Sequence, residues 1–434
     1  MANIAVEVSP GASGVEGRHG GSLAILATVF FMWGFITVLN DVLIPHLRSV
    51  FDLNYTQATL IQFVFFGTYF LISLPAAKFL ERFGYRKTIA AGLATTGVGA
   101  LIFVPAATLP SYAVFLTGLF VLASGITTLQ VAANPYVALL GPPATASSRL
   151  NLVQAFNSLG TTVAPLFGGL LILAQSTSGT AGAGAEALTL AERTADALAV
   201  RMPYIGIAAV LFLLSIIIFF WRLPAVSTRV ERTVETGSIW KETRLLLGLG
   251  AIFFYVGAEI AVGSFLINYI SSADVVPMSH AAAAFYVTLF WGGAMTGRFI
   301  GSAIMRKVAP ALVLLGVSIG AAGLLGATMS THGWVALWAI VLVGLMNSIM
   351  FPTIFTLAIE GLGALTARGS ALLIMAIVGG ALVPLLQGVV ADLLGLRISF
   401  FVPTLCYLYV LGFALYCWRR PAGRSEGMIL QEAV

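Results

Sequence analysis

Long apolar runs separated by short polar stretches repeat along almost the whole chain. Each run is close to the roughly 20 residues that an α-helix needs to cross a bilayer core of about 30 Å. The pattern predicts about twelve membrane-spanning helices, at residues 23–44, 58–80, 88–107, 111–139, 150–174, 203–222, 245–270, 281–304, 310–329, 334–358, 369–393 and 398–418. We therefore expect an all-α membrane protein with the lipid bilayer as its surroundings.

The composition supports this prediction. Of the 434 residues, 59% are hydrophobic and 9% are charged, whereas a soluble domain carries roughly 25% charged residues. The two cysteines, Cys406 and Cys417, lie in the last apolar run, where they are interpreted as small core residues and not as a disulfide or a metal site.

Basic residues are distributed unevenly between the two predicted sides of the membrane. If both termini are cytoplasmic, the cytoplasmic side holds Arg149, Arg368 and the clusters at 82–87, 222–244, 306–307 and 419–420, while Arg48, Arg193, Arg201 and Arg397 lie outside. This asymmetry follows the positive-inside rule and predicts a multi-pass inner-membrane protein with both termini in the cytoplasm. The net charge of +5 is thus explained by topology and gives no support to nucleic-acid binding.

The longest predicted cytoplasmic connection divides the spans six and six. This division predicts a cytoplasmic tail at 1–22, an N-terminal six-helix bundle at 23–222, a linker at 223–243, a C-terminal six-helix bundle at 244–420 and a second tail at 421–434.

The two halves also resemble each other in sequence. Pro135 and Pro352 are 217 residues apart, Arg149 and Arg368 are 219 apart, and the stretch 81–87 has a counterpart at 298–307. Parallel six-helix repeats build one large class of transporters, with the substrate near the midplane between the halves. Chance similarity among apolar segments is the alternative.

Two carboxylates fall inside apolar runs. Asp41 lies deep in the first run beside Asn40, and Glu259 lies in the seventh. A charge at mid-bilayer costs roughly 2.5–3.5 kcal/mol, and such residues usually face a bundle interior or a water-filled cavity. Both are therefore candidates for proton or cation coupling. The alternatives are a helix-end position for Asp41 and a structural interhelical hydrogen bond for Glu259.

Neutral amides form a second set of candidates. They share positions inside predicted spans, several of them on one helical face: Gln130 and Asn134, Gln154 and Asn157, and Asn347. Amides donate and accept hydrogen bonds at once, as a polyhydroxylated neutral ligand requires. Amides also stabilise contacts between membrane helices, so the set indicates sugar binding more strongly than any single member. Three aromatic residues within spans, Trp33, Tyr255 and Trp291, are weaker candidates for stacking on a sugar ring.

Enzyme motifs are missing from the sequence. It has no H-E-x-x-H, P-loop, G-x-S-x-G or dinucleotide fingerprint. We therefore predict neither an enzyme nor a resident cofactor or metal.

Three motifs resemble the fucose permease family of the major facilitator superfamily, and within it the bacterial glucose/galactose permeases. They are FFMWGF with LNDVLIP at 30–45, QVAANPY at 130–136 and RLNLVQAFNSLG at 149–160. The similarity extends from about residue 24 to 420. It implies the major facilitator fold of two six-helix bundles, alternating access, and sugar uptake coupled to a cation.

The resemblance carries over only in part. Asp41 matches the first-span carboxylate of fucose permeases, and Asn157 matches an amide of their sugar site. Gln130 stands where those permeases have a second essential carboxylate, whereas Glu259 stands where they have a neutral glutamine. The stretch 78–87 resembles the superfamily's cytoplasmic gating motif, with matches at Arg82, Gly84 and Arg86.

These observations together predict a monomeric symporter for a neutral hexose, glucose or galactose first. Asn40, Asp41, the amides and Glu259 are expected to bind the sugar, and Asp41 with Glu259 to couple it to a proton or sodium ion. Other substrates, N-acetylglucosamine or fucose, remain open, as do an exporter, a non-transporting sugar sensor and a membrane-embedded enzyme.

Overall fold

The computed structural model describes residues 19–51, 55–108, 111–171, 201–221, 224, 238–272 and 275–421. Most of both predicted tails and most of the predicted linker, at 1–18, 222–223, 225–237 and 422–434, lie outside these ranges.

Secondary structure in the described ranges is helical throughout. In chain order the helices are α1 His19–Phe51, α2 Tyr55–Thr108, α3 Tyr112–Leu139, α4 Ala146–Leu171, α5 Arg201–Phe220, α6 Thr243–Ile270, α7 His280–Ile304, α8 Pro310–Ser330, α9 Gly333–Asn347, α10 Met350–Ile359, α11 Thr366–Met375, α12 Gly379–Leu394, α13 Leu396–Ser399 and α14 Phe401–Arg419. We call α1–α5 the first half and α6–α14 the second half.

Nine stretches of described helix are long and apolar enough to cross a bilayer. One of them, Phe63–Ala106, is 44 residues long and contains two predicted spans. Helices α4 and α7 occupy two further predicted positions, at 150–174 and 281–304. A helix therefore lies at each of the twelve predicted positions.

Helix α2 bends sharply between its two spans. Gly84 has φ 77° and ψ 170°, non-helical values inside an otherwise continuous helical stretch. A positive φ strains residues that carry a Cβ atom, so glycine is the residue suited to this turn.

Two of the predicted spans are interrupted in the structure. The span predicted at 334–358 divides into α9 and α10 at Ser348 and Ile349, and a 3₁₀ turn at Ala376–Val378 separates α11 from α12. The first break has a local cause, because Pro352 has no N–H to donate to the carbonyl of Ser348, four residues earlier. Apolar length predicts a span at each of these places but does not locate the interruption.

The halves pack most extensively on each other through two helix pairs, α4 with α7 and α2 with α11. Each pair combines one helix from each half. Within the halves the main pairs are α2 with α3, α1 with α4, α2 with α5 and α8 with α14.

One end of this interface is sealed by buried hydroxyl groups. Ser147 and Thr356 lie 2.6 Å apart, Ser148 Oγ donates to the carbonyl of Ser302 at 2.7 Å, and Ser302 Oγ donates back to the carbonyl of Ser148 at 2.9 Å. We call these four residues the hydroxyl seal, and the end of the molecule that contains them, where α3 and α10 end, the closed end.

Further contacts join the halves next to the hydroxyl seal. Asn151 donates to the Thr353 hydroxyl at 3.2 Å, and Ser370 donates to the carbonyl of Val131 at 2.9 Å. All of these side chains are buried, and uncharged groups therefore form most of the closed end.

The two repeat-related arginines at the closed end have different roles. Arg149 donates to the carbonyls of Ala138 and Pro142, at 2.7 and 2.9 Å, and so satisfies acceptors at the end of α3 within its own half. Arg368 instead crosses to the other half and pairs with Glu81 at 2.7 Å. The sequence repeat therefore does not extend to the contacts of these two side chains.

Candidate functional site

A cavity of about 750 Å³ lies between the two halves. Its wall contains polar and aromatic residues from both: Trp33, Tyr69, Gln130, Gln154, Asn157, Glu259, Trp291 and Arg298. On α4 the lining runs from Gln154 to Thr161, and on α6 from Val256 to Phe265, in both cases away from the closed end. The cavity therefore extends from the middle of the helices toward the opposite end.

Close packing of α1 on α4 positions Asn157. A side chain on Gly34 would overlap the Asn157 carbonyl oxygen, and one on Gly160 would overlap the Phe31 carbonyl oxygen. Small residues let membrane helices approach this closely. The Asn157 amide nitrogen then donates to the carbonyl of Phe30 at 2.9 Å, a bond that fixes the amide at the cavity wall.

The other first-half amides form two pairs. Gln130 donates to the Tyr69 hydroxyl at 2.9 Å, and Gln154 donates to Asn134 Oδ1 at 3.4 Å. Gln130 and Gln154 line the cavity, whereas Asn134 is fully buried and does not. Asn134 thus supports Gln154 from behind in this conformation.

Glu259 lies in the second-half wall of the cavity with phenols around it. Tyr255, one helical turn earlier, and Tyr407 both interact with its carboxylate. The Tyr255 hydroxyl also donates to the carbonyl of Asn347 at 3.1 Å. Asn347 is fully buried behind this group, and neither atom of its amide has a hydrogen-bond partner of normal geometry in the described structure.

Arg298 is not among the predicted site residues, since the sequence pattern presents it only as the start of the repeat at 298–307. The structure places it inside α7, in the cavity wall, with its charge acting on Glu259. Its Nε donates to the carbonyl of Ser348 at 3.0 Å. The signal that would have identified it is a lone arginine within an apolar run, the criterion that selected the two carboxylates.

The cavity brings together four of the predicted binding residues, Gln130, Gln154, Asn157 and Glu259, and two of the predicted aromatics, Trp33 and Trp291. Asn134, Asn347 and Tyr255 lie behind its wall. The side chains of Asn40 and Asp41 lie outside the described residues. The proposed gating residues Arg82, Gly84 and Arg86 are exposed at the closed end, away from the cavity.

This arrangement has the chemistry of a site for a small polyhydroxylated molecule. Amides offer donors and acceptors for hydroxyl groups, and indole rings offer flat apolar faces. A carboxylate and a guanidinium add one charge of each sign to the same cavity. The wall is shared between two bodies, so a ligand there contacts both.

Comparison with known proteins gives a consistent result. Residues 24–377 match the model of the Major Facilitator Superfamily. The glucose/galactose transporter of Brucella abortus biovar 1 (strain 9-941) is 50% identical over 92% of this chain and 94% of its own length. The L-fucose-proton symporter of Escherichia coli (strain K12) is 35% identical over 91% and 92%.

The fold matches a solved structure over most of both chains. The crystal structure of the transporter FucP in the outward conformation superposes with a TM-score of 0.84, at 33% identity, over 91% of this chain and 98% of that one. The prediction of an all-α major facilitator fold is confirmed. This chain is a multi-pass membrane transporter that belongs to the Major Facilitator Superfamily.

Proposed function

We propose that this protein takes up a neutral hexose, glucose or galactose first, together with a proton. The observation that carries the proposal is a cavity between the halves in which amides of the first half face a carboxylate of the second. The names of two relatives, a glucose/galactose transporter and an L-fucose-proton symporter, support the substrate class and the ion.

Transport occurs by alternating access. We assign the closed end to the cytoplasm, following the distribution of basic residues, so the cavity faces outward in this conformation. Sugar enters from outside, and the halves rock until the hydroxyl seal opens. The ligands drive this change only to the extent that they bind the two states differently. Arg82, Gly84 and Arg86 lie at the turn that must adjust when the closed end opens.

Asp41 and Glu259 are the proposed coupling residues. A proton is favoured over sodium because one relative is named an L-fucose-proton symporter. Sodium coupling is the second possibility.

The remaining proposals concern organisation. The halves correspond to bundles at 23–222 and 244–420, joined by the linker at 223–243, with both termini in the cytoplasm of an inner-membrane protein. One chain contains the complete cavity between its own halves, which supports a functional monomer.

The decisive experiment measures radiolabelled glucose uptake into proteoliposomes, with a proton gradient and a sodium gradient imposed separately. We expect accumulation with the proton gradient, and competition by unlabelled galactose stronger than by fucose or N-acetylglucosamine. Asn157→Ala should weaken sugar binding, while Ser318→Ala, a buried serine bonded within α8, serves as the control. If the protein is folded but takes up no glucose under either gradient, hexose symport is contradicted. The alternatives would then be an exporter, a sugar sensor or a transporter of another substrate.

The coupling residues are tested in the same vesicles. Asp41→Asn and Glu259→Gln should each abolish accumulation against a gradient, while exchange of labelled for unlabelled sugar persists. A variant that still accumulates sugar fully would remove its residue from the coupling mechanism.

A further inference from the structure

The guanidinium of Arg298 holds residues of both halves at once. Within the second half its Nε donates to the carbonyl of Ser348. Across the interface its Nη1 donates to the carbonyl of Gln154 at 3.3 Å and to the hydroxyl of Ser158. Both cross-half acceptors belong to α4, the helix that carries Asn157 and two residues of the hydroxyl seal.

The second-half contact is fixed by the break between α9 and α10. Pro352 cannot supply an N–H to the Ser348 carbonyl, so Arg298 provides the donor instead. The α4 contacts have no such origin, because both acceptors lie on a helix of the other half. When the halves move apart at the closed end, the α4 contacts are the ones that must break.

The charged and titratable groups that face Arg298 are few. Glu259 is the carboxylate on which its charge acts, and the phenols of Tyr255 and Tyr407 adjoin that carboxylate. The two ion pairs within 4 Å in the described structure are elsewhere, at Arg244–Glu360 and Arg368–Glu81. Arg298 therefore gives its cross-half hydrogen bonds to α4, while its charge acts on Glu259 without an ion pair within 4 Å between the two in the described structure.

We infer that Arg298 is a positioning residue that exchanges partners, holding α4 when Glu259 is protonated and leaving α4 for the carboxylate when Glu259 is ionised. This inference rests on the proposed symport and extends it to a residue that does not carry the proton. A charged acceptor competes better than a neutral one for a guanidinium, since charge-assisted hydrogen bonds are about twice as strong.

The exchange explains why a proton alone would not cross. With Glu259 protonated and no sugar, Nη1 of Arg298 stays on its two α4 acceptors and keeps the halves together. A sugar hydroxyl in the cavity is a second neutral acceptor, so loading with both ligands releases the hold. In the empty carrier the ionised Glu259 releases it instead, so the carrier can change orientation without ligands.

The test measures the closed end directly. Both native cysteines are buried, and the exposed Ala144 and Ala364 lie on opposite halves at the closed end. Spin labels on Ala144→Cys and Ala364→Cys report the distance between the halves in sugar-free protein in nanodiscs. The measurement is repeated in an Asp41→Asn background, so that a response of that carboxylate is separated from that of Glu259.

In the labelled parent protein we expect the open fraction to rise by roughly tenfold between about pH 5.5 and about pH 8.5. Glu259→Gln should remain closed at both values. Arg298→Gln should lose the pH response, and Arg298→Lys should keep part of it. Ser158→Ala retains the charge of Arg298 but removes one of its two acceptors on α4. It should therefore raise the open fraction at low pH.

The matched control is Arg368→Gln, which removes another cross-half contact without touching the cavity. It should change the open fraction by no more than about fivefold and keep the pH response. An unchanged pH response in Arg298→Gln, or an unchanged low-pH state in Ser158→Ala, would overturn the inference. If Arg298→Gln does not fold, Arg298→Lys and Ser158→Ala decide.

The two proposals fail in different ways. A chain that shows the partner exchange but transports no hexose would keep the inference and lose the substrate. A chain that accumulates hexose while Arg298→Gln keeps the parent pH response would keep the transport function and lose the inference.

Discussion

Replacing Ser148 and Ser302 by alanine removes the reciprocal part of the hydroxyl seal. Each serine donates to the other's backbone carbonyl, at 2.7 and 2.9 Å, and both side chains are buried. When the closed end opens, water replaces these partners, so each bond favours the closed state by only its net value. That value is about 0.5–1.5 kcal/mol for a neutral hydrogen bond.

The expected effect follows from these two bonds. One alanine shifts the closed-to-open ratio by about twofold to tenfold, and two shift it by at most roughly thirtyfold. The double effect should fall short of the product of the single effects, because residues in direct contact are not additive.

Spin labels at Ala144→Cys and Ala364→Cys measure the ratio, and thermal unfolding checks that the variants are folded. Ser318→Ala again serves as the control, since its hydroxyl bonds within α8. If the double variant matched the control within a factor of about two, neutral hydroxyl pairs would not hold the closed end. The closed end would then be held by apolar packing or by the exposed ion pair between Arg368 and Glu81.

Three further predictions concern packing, pH and the cavity. Gly160→Leu should abolish uptake and lower the unfolding temperature because α1 leaves no room there, whereas Gly412→Leu, with open space around it, should do neither. Partial burial raises the pKa of Glu360 and the Arg244 charge opposes the rise. Arg244→Gln should therefore raise the pKa of Glu360 further. The folded state then favours the protonated carboxyl, and this contribution to stability is lost as pH rises through the raised pKa. The substitution should then lower the unfolding temperature more at about pH 8 than at about pH 5. The difference corresponds to at most about 1 kcal/mol of stability, because Glu360 is 39% exposed. An equal fall at both pH values would contradict this. Trp33→Ala should raise the KM for sugar by about twofold to tenfold while kcat changes less, and Trp33→Phe should restore most of the loss; an unchanged KM would exclude stacking.

The sequence was sufficient for the helices because apolar length alone selects a membrane span. It was not sufficient for the breaks in them. Pro352 was visible, but a proline in a membrane helix can be accommodated or can interrupt it, and the outcome depends on which neighbour satisfies the freed carbonyl. Here that neighbour is Arg298, which lies far away in sequence.

The candidate site was predictable where residue type alone identifies a misfit in lipid, as for Glu259. Its details depend on packing between helices. Gln130 and Asn134 share one face of α3, yet only Gln130 reaches the cavity, because Asn134 meets Gln154 of α4 one turn further on. No pattern within α3 distinguishes the two amides.

The interruption at Pro352 has a consequence for how such transporters diversify. A residue with an N–H at this position would return an intrahelical partner to the Ser348 carbonyl and detach Arg298 from its own half. The carbonyl oxygen of Ser348, a backbone atom, therefore holds the guanidinium of Arg298 in the cavity wall. Substituting the Ser348 side chain would leave this contact in place. Natural variation at residue 352, which lies in the second half and is not among the residues that line the cavity, is where differences in ion coupling between related carriers should be sought.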